Sequence, residues 1–423
     1  MAKQTSLNAI DIGSSKITCI ISIPDLETGK INVVGVASTP SRSGIRKGQI
    51  VDIEDAIAAI TDAVEAAERM AGFSINNAFV SISGDHIQSQ NSKGVVAITQ
   101  PKGEIDQEDV FRVIEAARAI SLPNSREILH VIPREFIVDS QRGIKDPIGM
   151  AGVRLETDAH LITCSSIAQK NVTKCITDIG IEIDGLVYTG LASSYSTLTD
   201  TEKELGVVLV DVGGGTTSLS IFVEGACSYS TVIPVGAKKV TDDLAIGLMV
   251  SLEGAEKIKQ YLSHLPEPTD KAAADEINLS RLGIKEEIKN VSKKTVTEGI
   301  IRPRLNELFT LIGTAIKRSG YAGNTPAGIV ICGGGSQTVD IVSSCKRVLQ
   351  LPTRIGTPTT LSGLVEELSS PAYACAIGLL VYGLSKKTEK NYSKKGNFAS
   401  LANRIPVNGL MNKIVDFFKS LLP

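Results

Sequence analysis

Two stretches of the chain, about 200 residues apart, carry residues suited to gripping a polyanion. The first, NAIDIGSSKITCIISI, holds Asp11, Gly13, Ser14, Ser15 and Lys16; the second, GVVLVDVGGGTTSLSIFV, holds Asp211, Gly213, Gly214, Gly215, Thr216 and Thr217. A phosphate chain needs backbone N–H groups turned toward it, and residues without a Cβ let the backbone come that close. The Ser and Thr hydroxyls add short donors. An Asp ending each preceding strand would repel phosphate directly, so Asp11 and Asp211 are read as a metal pair that holds Mg²⁺ through the ion's retained waters. The competing reading is two ordinary hairpins whose glycines satisfy turn geometry. Recurrence of the same order of residues favours the duplicated clamp.

A third glycine turn, AGIVICGGGSQTVDIV, follows near the end of the chain. Gly333, Gly334 and Gly335 would let a base or ribose lie against the backbone, with Ser336 and Gln337 opening the next helix. A tight strand-to-helix turn would give the same residues.

These turns require strands before and after them and helices behind. After the first clamp the pattern predicts a strand INVVGVAS, a helix from Ile53 to Met70 with apolar residues three and four apart, and a strand NAFVSIS. From about Asp85 to Glu156 the pattern changes to GVVAI, ILHVIPREFIVD and a helix VFRVIEAARAI, which reads as a small α+β insertion. HLITCSSI returns to the first lobe and LVYTGLASSYSTL connects to the second clamp. Helices KKVTDDLAIGL and LEGAEKIKQYL follow, then a polar loop PEPTDKAAADEINLS and a helix near Val296 to Lys317.

The 423 residues, 42% apolar and without Trp, exceed one comfortable domain, so two lobes with one clamp each are expected. A net charge of −2 argues against a nucleic-acid partner, whose footprint would be basic. Seven scattered Cys residues without a CxxC pair read as buried thiols in a reducing compartment. No apolar run has the length of a signal peptide or a membrane span, so a cytosolic chain is expected.

Charge concentrates in the last 39 residues, which hold eight basic against two acidic side chains. On a helical wheel Leu410, Met411, Ile414, Val415, Phe417, Phe418, Leu421 and Leu422 fill one arc without intrusion. The polar flank and the preceding linker are lysine-rich, which suits the anionic surface of a bilayer. A helix docked on the protein's own core or on a partner helix is the alternative.

The order DIGSSK, DVGGGTT, CGGGS and SSPAYACAIGLL resembles the actin-like ATPase superfamily. Over essentially the whole chain it resembles most closely the bacterial FtsA cell-division family, through TEKELGVVLVDVGGGTT, GIVICGGGSQ, the inserted segment and the amphipathic tail. The resemblance implies an α/β, two-lobed actin-like (duplicated ribonuclease-H-like) fold around a nucleotide cleft, with an inserted α+β subdomain and a C-terminal amphipathic helix. Its divisions would be 1–84 and 157–198 for the first lobe with the connector, 85–156 for the insertion, 199–384 for the second lobe with an outer subdomain at about 237–305, 385–404 for a flexible linker and 405–423 for the membrane helix. It implies ATP and Mg²⁺ as cofactors, with Gly13, Ser14, Ser15 and Lys16 on the first phosphate loop, Gly213 to Thr217 on the second and Gly333 to Ser336 on adenosine. Glu256 and Lys259, in AEKIK, match the helix that reaches ribose and adenine; an exposed ion pair is the plain alternative.

The connector stretch GLASSYSTL has no Asp, Glu or Gln to orient an attacking water, so slow or conditional hydrolysis is expected. The implied partners are a second copy in a filament, the anionic membrane surface, other division proteins and the C-terminal peptide of FtsZ. The basic stretch at Lys289, Lys293, Lys294 and Arg302 is a candidate grip for that acidic peptide, or a solvated helix face. The implied location is the cytoplasmic face of the cell membrane at the division site. Three other classes share the clamp: small-molecule kinases, 70-kDa heat-shock chaperones and the related adaptor of type IV pilus machinery.

Overall fold

The computed structural model describes residues 6–25, 30–99, 103–264, 275–284, 290–359, 361–363 and 367–387. The chain divides into two compact units, Met1–Val381 and Tyr382–Pro423. Of the second unit, 382–387 are described, and they are helical. The expected membrane helix with Leu410, Met411, Ile414, Val415, Phe417, Phe418, Leu421 and Leu422, most of the linker, and Lys289 lie outside the described residues. Among the described residues no helix is long and apolar enough to cross a membrane.

The first unit repeats one sheet twice. In the first lobe Leu7–Ile12, Lys16–Pro24 and Ile31–Pro40 form an antiparallel meander, and Asn77–Ile82 then Glu182–Tyr188 extend it in parallel beside Leu7–Ile12. The second lobe follows the same plan, with Val207–Val212, Thr217–Val223 and Ala226–Ile233 as the meander and Ile329–Cys332 then Thr353–Ile355 in parallel. Both opening hairpins close on equivalent pairs, Ile12 with Ile17 and Val212 with Thr217. Each leaves four residues for its turn, so the two clamps share a register as well as a composition.

Helices cover the apolar faces of these sheets. Ile53–Ala71 starts where the Asp52 side chain accepts from the Asp55 amide and stops at Gly72, with φ 80°. It buries Ala56, Ala59, Ile60, Ala63, Val64 and Ala67, a stripe at three- and four-residue spacing. The second lobe packs Lys238–Leu248, Leu252–Ser263 and Arg302–Ser319 around a core that includes Leu244, Ile258, Leu308 and Phe309. The connector becomes the helix Thr189–Thr197. Residues 374–381 are also helical and press against it closely enough that a Cβ on Gly378 would lie 1.9 Å from the Ala192 carbonyl oxygen.

The insertion is a four-stranded sheet, Gln88–Ala97, Arg154–Ser165, Arg126–Val138 and Gln141–Ile144 in that spatial order, backed by the helix Gln107–Arg118. HLITCSSI, expected to rejoin the first lobe, instead completes this sheet. No breaker follows Glu156, and the strand Arg154–Ser165 is paired to both neighbours from Leu155 to Thr163. The ladder is irregular where Pro133, which has no N–H, pairs with Ala159. The polar segment expected as a loop ends in a short strand, Glu276–Asn278, paired with Asn290–Ser292. Ile277, 1% exposed, draws it onto the core of the second lobe.

Candidate functional site

Both turns meet at a cleft of about 880 Å³. In each, the first glycine amide donates across the turn, Gly13 to the Lys16 carbonyl at 3.1 Å and Gly213 to the Thr216 carbonyl at 2.8 Å. Ser14, Ser15 and Gly214, between these bonded ends, line the cleft, where their N–H groups would form a cradle for an anion. Among the sequence candidates, Asp11, Gly13, Ser14, Ser15, Lys16, Asp211, Gly213, Gly214, Thr216, Glu256, Lys259, Gly333, Gly334 and Gly335 line it.

Gln337 lines the cleft too, while Thr217, Gly215 and Ser336 support the site from behind. Thr217 is fully buried and its hydroxyl donates to the Val235 carbonyl at 2.8 Å. The Ser336 hydroxyl donates to the Gly333 carbonyl at 2.7 Å. Ser336 and Gln337 belong to a 3₁₀ turn, Gly334–Gln337, and the helix they were expected to open begins later, at Ile341–Leu349. Gly215 packs on the first loop, where a Cβ would meet the Ser14 hydroxyl at 2.8 Å. Gly333 has φ 81°, and a Cβ there would lie 2.2 Å from Asp211 Oδ1, so only glycine lets this third turn close over the Asp211 carboxylate.

The two carboxylates are held by residues the sequence did not single out. The Ser81 hydroxyl donates to Asp11 Oδ1 at 2.7 Å, and the Ser193 hydroxyl donates to Asp211 Oδ2. Burial pushes the Asp211 carboxyl up to about 7; the Ser193 bond opposes this and the neighbouring Asp11 charge adds to it. Two carboxylates lining one cleft, one of them desolvated and crowded by like charge, fit a hard divalent cation that keeps waters of its own.

Lys16 sits 3.7 Å from the centroid of the Tyr373 ring, and burial lowers its pKa against the raising effect of Asp11. Glu256 and Lys259 form part of a closed cluster. Lys259 Nζ lies 2.6 Å from Glu256 Oε2 and donates to Thr241 Oγ1 at 2.8 Å, while that hydroxyl donates to Glu256 at 2.6 Å. Burial alone would raise the Glu256 carboxyl, but the Lys259 charge and the bonds from Lys259, Thr241 and Gln260 hold it below the usual carboxylate range. Gln260, Ser263 and His264 extend the same wall.

Additional hydroxyls reach the cleft from Ser83, Thr189, Ser218 and Thr241. Ser83 Oγ lies 3.4 Å from the hydroxyls of both Thr216 and Ser218, joining a first-lobe strand end to the second turn. The one signal for Ser83 in the sequence is its place beside Gly84 at the end of a strand. Of the basic stretch, Arg302 is already committed, with Nε 2.8 Å from Asp340 and Nη1 3.2 Å from Glu298. Lys293 and Lys294 open a helical turn on the same subdomain.

Twin sheets in one order, a cleft between them and an inserted α+β module define an actin-like protein. Residues 84–163 match the family model described as the SHS2 domain inserted in FtsA, and residues 208–378 the model for cell division protein FtsA. The cell division protein FtsA of Pseudomonas aeruginosa is 39% identical over 381 residues, spanning 90% of this chain and 89% of that one. Among solved structures, a type IV pilus biogenesis complex, PilM–PilN, superposes with TM-score 0.63 at 16% identity, over 90% of this chain and 99% of that one. MreB5 of Spiroplasma citri bound to AMPPNP superposes with TM-score 0.54 at 14% identity, over 93% of this chain and 99% of that one. The chain belongs to the FtsA family of cell division proteins. Kinase and chaperone readings of the clamp therefore fall away.

Proposed function

We propose that the cleft binds ATP with Mg²⁺ and that occupancy sets the angle between the lobes, and so whether copies of the chain stack head to tail. The observation that carries this reading is the convergence on one cleft of two hairpin turns of equal register, each following a strand whose penultimate residue is an Asp. The N–H groups of both turns would receive the phosphates, Lys16 would approach them from the first lobe, and Asp11 and Asp211 would hold the ion through water. When bound, Mg²⁺ neutralises phosphate charge. The Gly333–Gly335 turn and the Thr241–Glu256–Lys259 cluster would seat the nucleoside. The connector helix turns Ser193 toward Asp211 and carries no carboxylate or carboxamide, which agrees with slow turnover.

Polymerisation would place many amphipathic tails in one row, each weak alone and tight together. The assembly would tether the FtsZ ring through its C-terminal peptide to the cytoplasmic face of the membrane at the division site and recruit further division proteins. Lys293 and Lys294 remain the basic groups proposed to face that peptide. Isothermal titration of the purified protein with ATP, with and without Mg²⁺, tests the central step: saturable heat that depends on Mg²⁺ is expected, and absence of heat for adenine nucleotides refutes it.

A further inference from the structure

Lys238 opens the helix Lys238–Leu248 and belongs by its backbone to the second lobe. The amides of Ala237 and Lys238 donate to the Gly213 and Gly214 carbonyls, each at 2.9 Å, which docks the helix start on the second phosphate loop. The Lys238 ammonium reaches the other way and donates to the Ser14 carbonyl of the first loop at 2.6 Å. One residue thus holds the backbone of both loops. It engages carbonyls, so the N–H groups of the cradle stay available.

The loops are close enough for such a bond because of their glycines. A Cβ on Gly214 would lie 1.9 Å from the Ser15 hydroxyl oxygen, and one on Gly215 would lie 2.8 Å from that of Ser14. The bond spans 224 residues of sequence, and Lys238 lines the cleft. Partial burial lowers the pKa of Lys238, opposed by the charges of Glu256 and Asp242 and reinforced by those of Lys259 and Arg46. At its tip the ammonium meets a neutral backbone carbonyl, which suits a structural tie better than a surface ion pair.

We infer that Lys238 is a positioning residue that staples the two phosphate loops at the separation where both address one triphosphate. The affinity arm of this inference rests on the nucleotide reading above; the staple itself is a property of the ligand-free protein. Without it the lobes open further and a bound nucleotide escapes sooner. The backbone bonds of Ala237 and Lys238 remain, so the helix and the second loop keep their places.

The test compares wild type with Lys238→Met, Lys238→Gln and Lys238→Arg in the full chain. All seven native cysteines are buried, so probes can be placed selectively at Glu65→Cys on the first lobe and Thr310→Cys on the second. Inter-probe distances are measured without ligand, and release of a fluorescent ATP analogue with Mg²⁺ is followed by stopped flow. A partly exposed charge-assisted hydrogen bond predicts release about five- to tenfold faster in the Met variant. A longer, broader distance distribution is expected with it, a melting temperature within about 2 °C of wild type, and recovery to within about twofold in the Arg variant. Unchanged distances and unchanged release in both the Met and Gln variants overturn the inference. If wild type binds no nucleotide, the earlier reading fails, and the ligand-free distances still decide whether Lys238 ties the lobes. Should the Met variant not fold, the Gln variant carries the same comparison.

Discussion

Asp211 is strongly altered by its surroundings. Its carboxyl is 6% exposed, tied to Ser193 and close enough to Asp11 to feel its charge. A cation placed between the two carboxylates removes that repulsion, so ion binding and folding of the cleft reinforce each other. Asp211→Asn keeps the shape and removes the charge. It is expected to weaken Mg²⁺-dependent ATP binding at least about tenfold while leaving binding in EDTA within about twofold, as measured by titration calorimetry. The Asp, the glycines and the hydroxyls of both loops were legible because a loop's chemistry is written in consecutive residues. Ser81, Ser193 and Lys238 were not, because each arrives from a different strand or helix and nothing beside it in sequence marks its target.

Among the elements, the seam between the insertion and the second lobe has the clearest physical signature. His160, on the strand Arg154–Ser165, is fully buried, with Nδ1 2.8 Å from Asn91 Oδ1 and Nε2 3.1 Å from Ser230 Oγ. A neutral ring satisfies both partners, one nitrogen donating and the other accepting. Burial, with the charges of Arg134 and His130 adding, pushes its pKa down to about 3. The sign follows: the unfolded ring takes a proton near pH 6.5 and the folded ring does not, so this stabilisation is complete above about pH 6.5 and is lost progressively toward pH 3. Urea denaturation at pH 7, 6 and 5 should show stability falling by as much as about 1.4 kcal/mol per pH unit from this group, and His160→Gln should flatten the slope by that amount. A slope identical in the variant would assign the pH dependence to other groups. The elements with strong local patterns, such as the helix Ile53–Ala71 with its apolar stripe, were legible in the sequence. The extent of Arg154–Ser165 and the strand Glu276–Asn278 were not, because pairing with distant strands and burial of Ile277 decide them.

For the whole molecule, the repeated sheet order explains why one chain can close on a ligand from two sides: each half supplies the same hairpin in the same register. Two such halves were legible from the duplicated motif, whereas the spacing between them depends on contacts such as Lys238 to Ser14. The proposed membrane residence belongs to this scale as well, since it would join the cleft's state to the location of the chain. The apolar arc of the tail predicts flotation of the purified protein with vesicles containing anionic lipid. Replacing both Phe417 and Phe418 by Asp should leave the protein in the bottom fraction, and flotation equal to wild type in that variant would remove the tail from the scheme.

The insertion leaves and re-enters the first lobe, yet several of its polar bonds run to the edge strand Ala226–Ile233 of the second. Ser230 donates its amide to the Ser89 hydroxyl at 3.0 Å, which in turn donates to the Ser230 carbonyl at 2.7 Å, and Arg134 Nε donates to Ser228 Oγ at 2.9 Å. The open flank of that sheet is thereby sealed by side chains instead of by another strand. A tug on the insertion from outside would then be shared between both halves along a route that bypasses the cleft. Load on the insertion and occupancy of the cleft would act on the spacing of the two lobes as separate inputs.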